Sequence, residues 1–272
     1  LGEARAQWHR AMALWQELEL MQFGPAASTM APGGRGLRDT LYAWPLVHAC
    51  GIDGALLAPV GPDLEVGSAI VSVRGLAAVE YALFAPADVT ACDDASSTGA
   101  GWAALDPDTR RRRRATYARA AASDVRASAA ALRGHWEPAG GDFSATLTRA
   151  GRGNAEYPSQ RLALNAVADA LFYLDAITKD LKVGRVAGLV DCDAASCPAA
   201  VESPHAARSR DNVRNNLVGI RRLVRGCGEG FSGLGFDDWL TSARADAVAD
   251  ELDAAIVDAV AAVEALSDAD LA

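Results

Sequence analysis

Glu80 stands in the run Gly75-Leu-Ala-Ala-Val-Glu80-Tyr-Ala-Leu-Phe84. At helical three- and four-residue steps its neighbours are Leu76, Ala77, Leu83 and Phe84. A carboxylate in such apolar company is rarely buried unless it is paired or holds a ligand. Two readings follow: a ligand-binding carboxylate, or an ion pair with an arginine such as Arg38 or Arg74. The histidines are His9, His48, His135 and His205, and no HExxH occurs, which excludes a zincin-type site. Glu202 and His205 lie three apart with Pro204 between them, which works against a regular helix. His48 and Cys50 lie two apart, a pattern open to a soft metal. Each of these pairs reads first as ordinary surface or hydrogen-bonded side chains. No GxSxG, P-loop or dinucleotide fingerprint is present. The GxxGxG of Gly230, Gly233 and Gly235 follows no strand and carries no phosphate chemistry. With no recognisable nucleophile–base pair, the chemistry on offer is binding more than catalysis.

Arg110 to Arg114 form an unbroken basic run. Five consecutive residues cover every side of a helix, so they cannot all meet one ligand. The first reading is a solvated helix start with one or two arginines turned inward. Cations are mildly unfavourable at a helix N-terminus, so an acidic counterpart is expected. Residues 231–272 hold ten acids and one base, Arg244, and so carry all of the net charge of −9. That segment is the candidate counterpart. The acidic balance argues against nucleic acid as a partner. Only Lys179 and Lys182 among the 26 basic residues are lysine, a bias that reads as a GC-rich genome.

Five cysteines occur, at 50, 92, 192, 197 and 227. The short loop CDAASC at Cys192–Cys197 suits a disulfide, and Cys50 and Cys92 are further candidates. Pairing is not readable from sequence, and one thiol must be left over. No CxxC pair points to zinc.

These residues must be positioned by helices. Alanine is abundant and aromatics make up only 6% of the chain, which favours an all-helical fold over a sandwich or barrel. Apolar periodicity places helices at 3–22, 37–48, 52–58, 67–84, 107–136, 158–181 and 208–225, with one or two more over 236–266, bent near 241–246. Asp106-Pro107 is a strong helix start, and Gly184 reads as a C-cap. Loops are expected at 26–36, 85–106, 138–157, 186–206 and 226–235. AVEYALF at 78–84 and AVADALF at 166–172 share five of seven residues, a faint sign of duplication. About eight helices with a break in 138–157 predict two helical bundles in series, residues 1–140 and 141–272. No stretch is long and apolar enough to span a membrane. The chain opens at Leu1, which reads as a mature form whose targeting segment has been removed.

Several segments together resemble one known family. They are the opening helix ending in Phe23-Gly24-Pro25, the Trp44-Pro45 pair after Asp39, and RGLAAVEYALF at 74–84. To these add YPSQRLALNAVADALFYLDAITKDLKVGRVAGL at 157–189. The last are Glu202-Ser203 through Arg208, Asn212 and Asn215-Asn216 to Gly219-Ile220, and GFDDWL at 235–240. The chain resembles the imelysin-like proteins, bacterial periplasmic or outer-membrane lipoproteins linked to iron uptake and once classed as metallopeptidases. The block at 74–84 is similar to the family's GxHxxE motif, with Gly75 and Glu80 kept and the His position filled by Ala77. The resemblance implies an all-helical fold of two bundles with the motif near their interface. A ligand cleft lined by Glu80, Arg38, Asp39, Trp44, Glu202 and Arg208 is the corresponding expectation. Without the His, Glu80 is the motif's remaining metal ligand, which favours a hard ion such as iron or another divalent metal, an organic ligand, or none. A catalytic zinc normally takes three protein ligands, so the zinc peptidase is disfavoured. The expectation is a lipid-anchored binding protein that holds a metal ion or small ligand and serves a protein partner in an uptake system. The alternatives are a metal-dependent peptidase and a partner-binding scaffold without a ligand.

Overall fold

The computed structural model describes residues 1–267, and all regular structure among them is helical. The chain forms two compact units. One is Leu1–His9 with Gln22–Leu164, and the other is Arg10–Met21 with the chain from Asn165 onward. Helix α1 (Gly2–Leu18) therefore gives its first half to one and its second half to the other. The expected division at 140/141 falls inside the first unit.

In the first unit, α4 (Gly75–Phe84) packs on the 30-residue α6 (Pro107–Trp136). Tyr117, Ala118 and Ala121 recur at three- and four-residue steps and are buried, so small side chains let α4 come close. The helix start at Asp106-Pro107 stands as expected, with Asp106 accepting from Thr109 N at 2.9 Å. Helix α4 begins at Gly75, not at 67. Gly75 has φ 76°, and a Cβ there would sit 2.6 Å from the carbonyl oxygen of Leu41. The glycine thus lets α4 start directly on α2 (Leu37–Leu41). Two helices lie in segments expected to be loops. Helix α5 (Ser97–Ala104) is capped by Ser96, whose hydroxyl accepts from Gly99 N at 2.9 Å. Helix α7 (Phe143–Thr148) brings Phe143 between Trp136 and Tyr157, at ring separations of 4.9 and 6.1 Å. The fold also supplies α3 (Ala49–Ala55), which carries Cys50 to its disulfide with Cys92.

Arg114 is the inward member of the arginine run, at 2% exposure. Its guanidinium donates to the carbonyls of Ala85, Pro86 and Val89, to the Tyr81 hydroxyl, and to Asp53 at 3.3 Å. It ties the 85–89 turn to α3, α4 and α6. The expected acidic counterpart is corrected: the run meets Asp53, Asp108 and backbone carbonyls, all in the first unit. The acidic C-terminal segment instead pairs with α9 (Ser209–Arg225), through Arg225–Asp237, Arg221–Asp253 and Arg214–Glu264. The hydrogen bond from Arg221 holds the Asp253 carboxyl below its usual range.

In the second unit, α9 packs on α11 (Asp246–Ala265) and on α10 (Phe236–Ser242), and the break near 241–246 is where it was expected. The core joins Leu20, Tyr173, Ile220, Val224 and Ile256. The single long helix expected over 158–181 is replaced by α8 (Gln160–Ala168), one tight turn, and a wide helix Leu174–Gly184. In the wide helix hydrogen bonds run five residues back; beyond it Arg185 N still reaches Asp180 O at 2.7 Å. Gly184 ends it, and a further tight turn follows. A Cβ on Gly219 would lie 2.3 Å from Glu17 O, so the backbones of α9 and α1 nearly touch.

Two outcomes test this packing. Gly219→Ala forces those backbones apart and is expected to cost about 1–3 kcal/mol, read from the urea midpoint. Burial pushes the Tyr117 phenol up to about 12, with the charge of Asp124 adding to it. The folded state therefore holds this proton more tightly than the unfolded chain. The stability it contributes is present below about pH 10 and is lost as pH rises toward 12. Tyr117→Phe should remove one late-titrating phenol from the 295 nm absorbance titration and flatten the alkaline loss of stability.

Candidate functional site

In the first unit, Glu80 is 3% exposed, and every residue from Gly75 to Ala82 is buried with it. Ala77 presents a methyl at the motif His position. Arg74 is committed elsewhere: it donates to Asp124 at 2.8 and 2.5 Å and to the Gly67 carbonyl. The suggested Arg74–Glu80 pair is thus replaced by Arg74–Asp124. Arg38 donates to Asp39 at 3.0 Å and to the Trp44 carbonyl at 3.0 Å, so these three expected cleft residues are brought together on and beside α2. Trp44 is buried, while Asp39 is exposed. Cys50 is bonded to Cys92, which removes the thiol of the His48–Cys50 pair from metal binding.

Glu202 and Arg208 belong to the second unit. Arg208 pairs with Asp211 at 2.5 Å at the start of α9. Glu202 is fully buried and belongs to a larger polar cluster that sequence reasoning missed. At its centre is Lys182, also fully buried. Its ammonium donates to Gln16 Oε1 at 2.6 Å, pairs with Glu202 Oε1 at 3.0 Å, and forms a short contact to Glu19 Oε1. Three donors therefore meet three acceptors. Gln16 Nε2 donates to Glu202 Oε1 at 3.0 Å. Asn216 Nδ2 lies within reach of Gln16 O, Gln16 Oε1 and Glu19 Oε1, at 2.7, 2.9 and 3.1 Å. Thr178 donates to Asn216 Oδ1 at 3.1 Å, and Asn212 donates to the Ser203 hydroxyl at 3.1 Å.

Each member has a structural reason to be there. Gln16 continues the buried stripe of Met12 and Trp15 on α1, and Glu19 extends it one residue past the helix end. The wide helix carries Thr178 and Lys182 inward at a four-residue step. Gly219 lets α9 close until Asn216 reaches the α1 backbone. Signals existed in the sequence: Glu19 falls on an apolar stripe, and Lys182 is one of two lysines among 26 basic residues. Two buried carboxyl groups thus share one lysine. Glu19 Oε2 has no hydrogen-bond partner among the described residues. Such a site can hold a proton or a cation, or it can lock four chain segments in register. Among the described residues, no three His, Cys, Asp or Glu side chains converge to hold a metal ion.

Comparison with known proteins adds the following. The family model described as Imelysin, of peptidase family M75, matches residues 1–272. The crystal structure of an imelysin-like protein from Psychrobacter arcticum 273-4 is similar, at 18% identity and a TM-score of 0.54. The match covers 97% of this chain and 70% of that one, and at this identity it shows the fold alone. No curated protein matches the chain.

Lys182→Met removes the cation and leaves two buried carboxylates facing each other. A loss of about 3–5 kcal/mol at neutral pH is expected from urea unfolding. Adding Glu19→Gln and Glu202→Gln to the same chain should restore most of it. A Lys182→Met chain as stable as the wild type would show that the carboxylates do not depend on Lys182.

Proposed function

We propose, from the premise that the chain belongs to the imelysin family, that it is an extracytoplasmic binding protein that holds a metal chelate for an iron-uptake system. One observation carries the reading: Glu80 is kept as a buried carboxylate on a helix otherwise made of Gly, Leu, Ala, Val, Tyr and Phe. Burying a charge there is costly, and such costs concentrate where side chains work on ligands. Arg38, Asp39 and Trp44 of the same unit are the companions proposed for it. Glu202 and Arg208 are assigned differently, Glu202 to the Lys182 cluster and Arg208 to its pair with Asp211. The two disulfides, Cys50–Cys92 and Cys192–Cys197, support an oxidising compartment, which on this reading is the periplasm or outer membrane. A chelate suits this donor set better than a bare ion does. Its own oxygens fill the coordination sphere, so few protein ligands are needed.

The family model's peptidase name keeps a second reading open, a metal-dependent hydrolase. It needs a metal-bound water on protein ligands that hold the ion without a chelate, and Ala77 supplies none. Peptide hydrolysis abolished both by chelator and by Glu80→Gln would establish it in place of the binding reading.

The deciding experiment is elemental analysis of protein purified without affinity metal, joined to melting shifts with ferric citrate, zinc, copper and haem. Ferric citrate is expected to raise the melting temperature with concentration, corresponding to about 2.7 kcal/mol of added stability at a hundredfold excess over its dissociation constant. Glu80→Gln should abolish the shift while leaving the ligand-free stability nearly unchanged. A variant that binds normally but loses about 3 kcal/mol or more would make Glu80 a structural charge and overturn the proposal.

A further inference from the structure

The arginine run does more than clamp the 85–89 turn. Arg114 is spent on that clamp, Arg110 donates to the Ala103 carbonyl, and Arg111 pairs with Asp108. Arg112 and Arg113 turn to another side of α6, where Thr109, Thr116 and Arg119 join them at three- and four-residue steps. This face forms one wall of an open cavity of about 660 Å³. The opposite wall is Pro59, Val60 and Pro62. The volume lies within the range of small-molecule sites.

The guanidinium groups are held in place without being neutralised. Arg113 donates to the carbonyls of Leu56, at 2.7 Å, and Leu57. Arg119 donates to the Pro62 carbonyl, and Arg112 to the Thr109 hydroxyl at 2.9 Å. All of these acceptors are uncharged. Among the described residues none of the three arginines is in a salt bridge. Asp106 is the acid that acts on Arg112, and its two oxygens are already engaged by Thr109. A guanidinium has five N–H donors, so most remain for a ligand. Proline offers no N–H, the side chains of the opposite wall are hydrocarbon and the Pro62 carbonyl is taken by Arg119, so that wall suits an apolar body and not a second charge. Planar guanidinium groups pair with phosphoryl oxygens two at a time.

We propose that this cavity binds a phosphoryl-bearing ligand, its phosphate against Arg112, Arg113 and Arg119 and its carbon body against Pro59–Pro62. The ligand is a soluble organophosphate or the headgroup of an anionic phospholipid, and the test separates the two.

Calorimetric titration with glycerol 3-phosphate and with pyrophosphate is run beside flotation with phosphatidylglycerol and phosphatidylcholine vesicles. The wild-type chain is expected to bind a soluble phosphate or the phosphatidylglycerol vesicles, more weakly as salt rises. Saturable binding of the soluble compounds assigns a small-molecule site, and binding of phosphatidylglycerol vesicles alone assigns a headgroup site. Arg112→Gln/Arg119→Gln alters two exposed side chains and leaves the Arg113 anchor, and it should weaken binding about tenfold or more. Arg110→Gln/Arg111→Gln removes the same charge from the same helix outside the cavity and should retain binding. No binding to any probe, or equal weakening in both double variants, overturns the proposal. None of these readouts involves Glu80.

Discussion

The interior of the second unit is built around one ammonium group. Lys182 meets Gln16 of α1, Glu19 just past its end and Glu202 from the segment before α9, while Asn216 of α9 closes on Gln16 and Glu19. Four chain segments distant in sequence are thereby fixed at one point. Coulomb attraction in a dry interior is strong, but so is the desolvation that opposes it. The network's net contribution to stability is therefore small compared with the penalty for breaking it. What it does impose is register. If α1 slips by one residue, Gln16 and Glu19 leave the lysine, and two carboxylates are stranded in the core.

The first unit solves a related problem with a different cation. Arg114 is as buried as Lys182, yet it faces one carboxylate, a phenol and three carbonyls. A planar guanidinium with five donors can satisfy a turn of exposed carbonyls, which a compact ammonium cannot do. Lysine suits the second unit because its three acceptors surround a point. The Cys50–Cys92 disulfide anchors the chain just beyond the turn that Arg114 binds, so a covalent and an electrostatic tie act on one loop. Desolvation raises the Tyr81 phenol far above its ordinary value, and its hydrogen bond to Asp53 adds to the shift; the hydroxyl stays a proton donor in this cluster.

Sequence periodicity reads well where a helix is long and its face is decided by burial. Helices α1, α6 and α9 and the break between α10 and α11 were legible for that reason. Helix α5 was not. STGAGWAA has two glycines and poor intrinsic propensity, and it is a helix because Ser96 caps it and Gly99 lets it approach Asp93. The wide helix was hidden for another reason: a run of apolar residues at three- and four-residue steps does not distinguish bonds to the fourth residue from bonds to the fifth. At the candidate sites, Glu80 stood out because it was polar among apolar neighbours. Glu19 carries the same signature just past the end of α1. The scarcity of lysine reads as genome composition, which hides Lys182, although it is one of only two lysines and is fully buried.

The motif helix shows how scaffold and chemistry separate within ten residues. Gly75 is fixed by sterics alone: its left-handed backbone and the 2.6 Å approach to the Leu41 carbonyl leave no room for a side chain. Ala77 and Ala78 are small because α4 lies against α6 on a packed face. Neither constraint asks for a carboxylate at position 80. An apolar residue of similar volume would bury more hydrocarbon with no charge to compensate, so packing by itself selects against glutamate there. A His at position 77 would have to fit where Ala77 is only 6% exposed, so its loss is also a change in packing. Within one helix turn and a half, Gly75 and Ala77 answer to packing, while the carboxylate of Glu80 has to be held by polar partners.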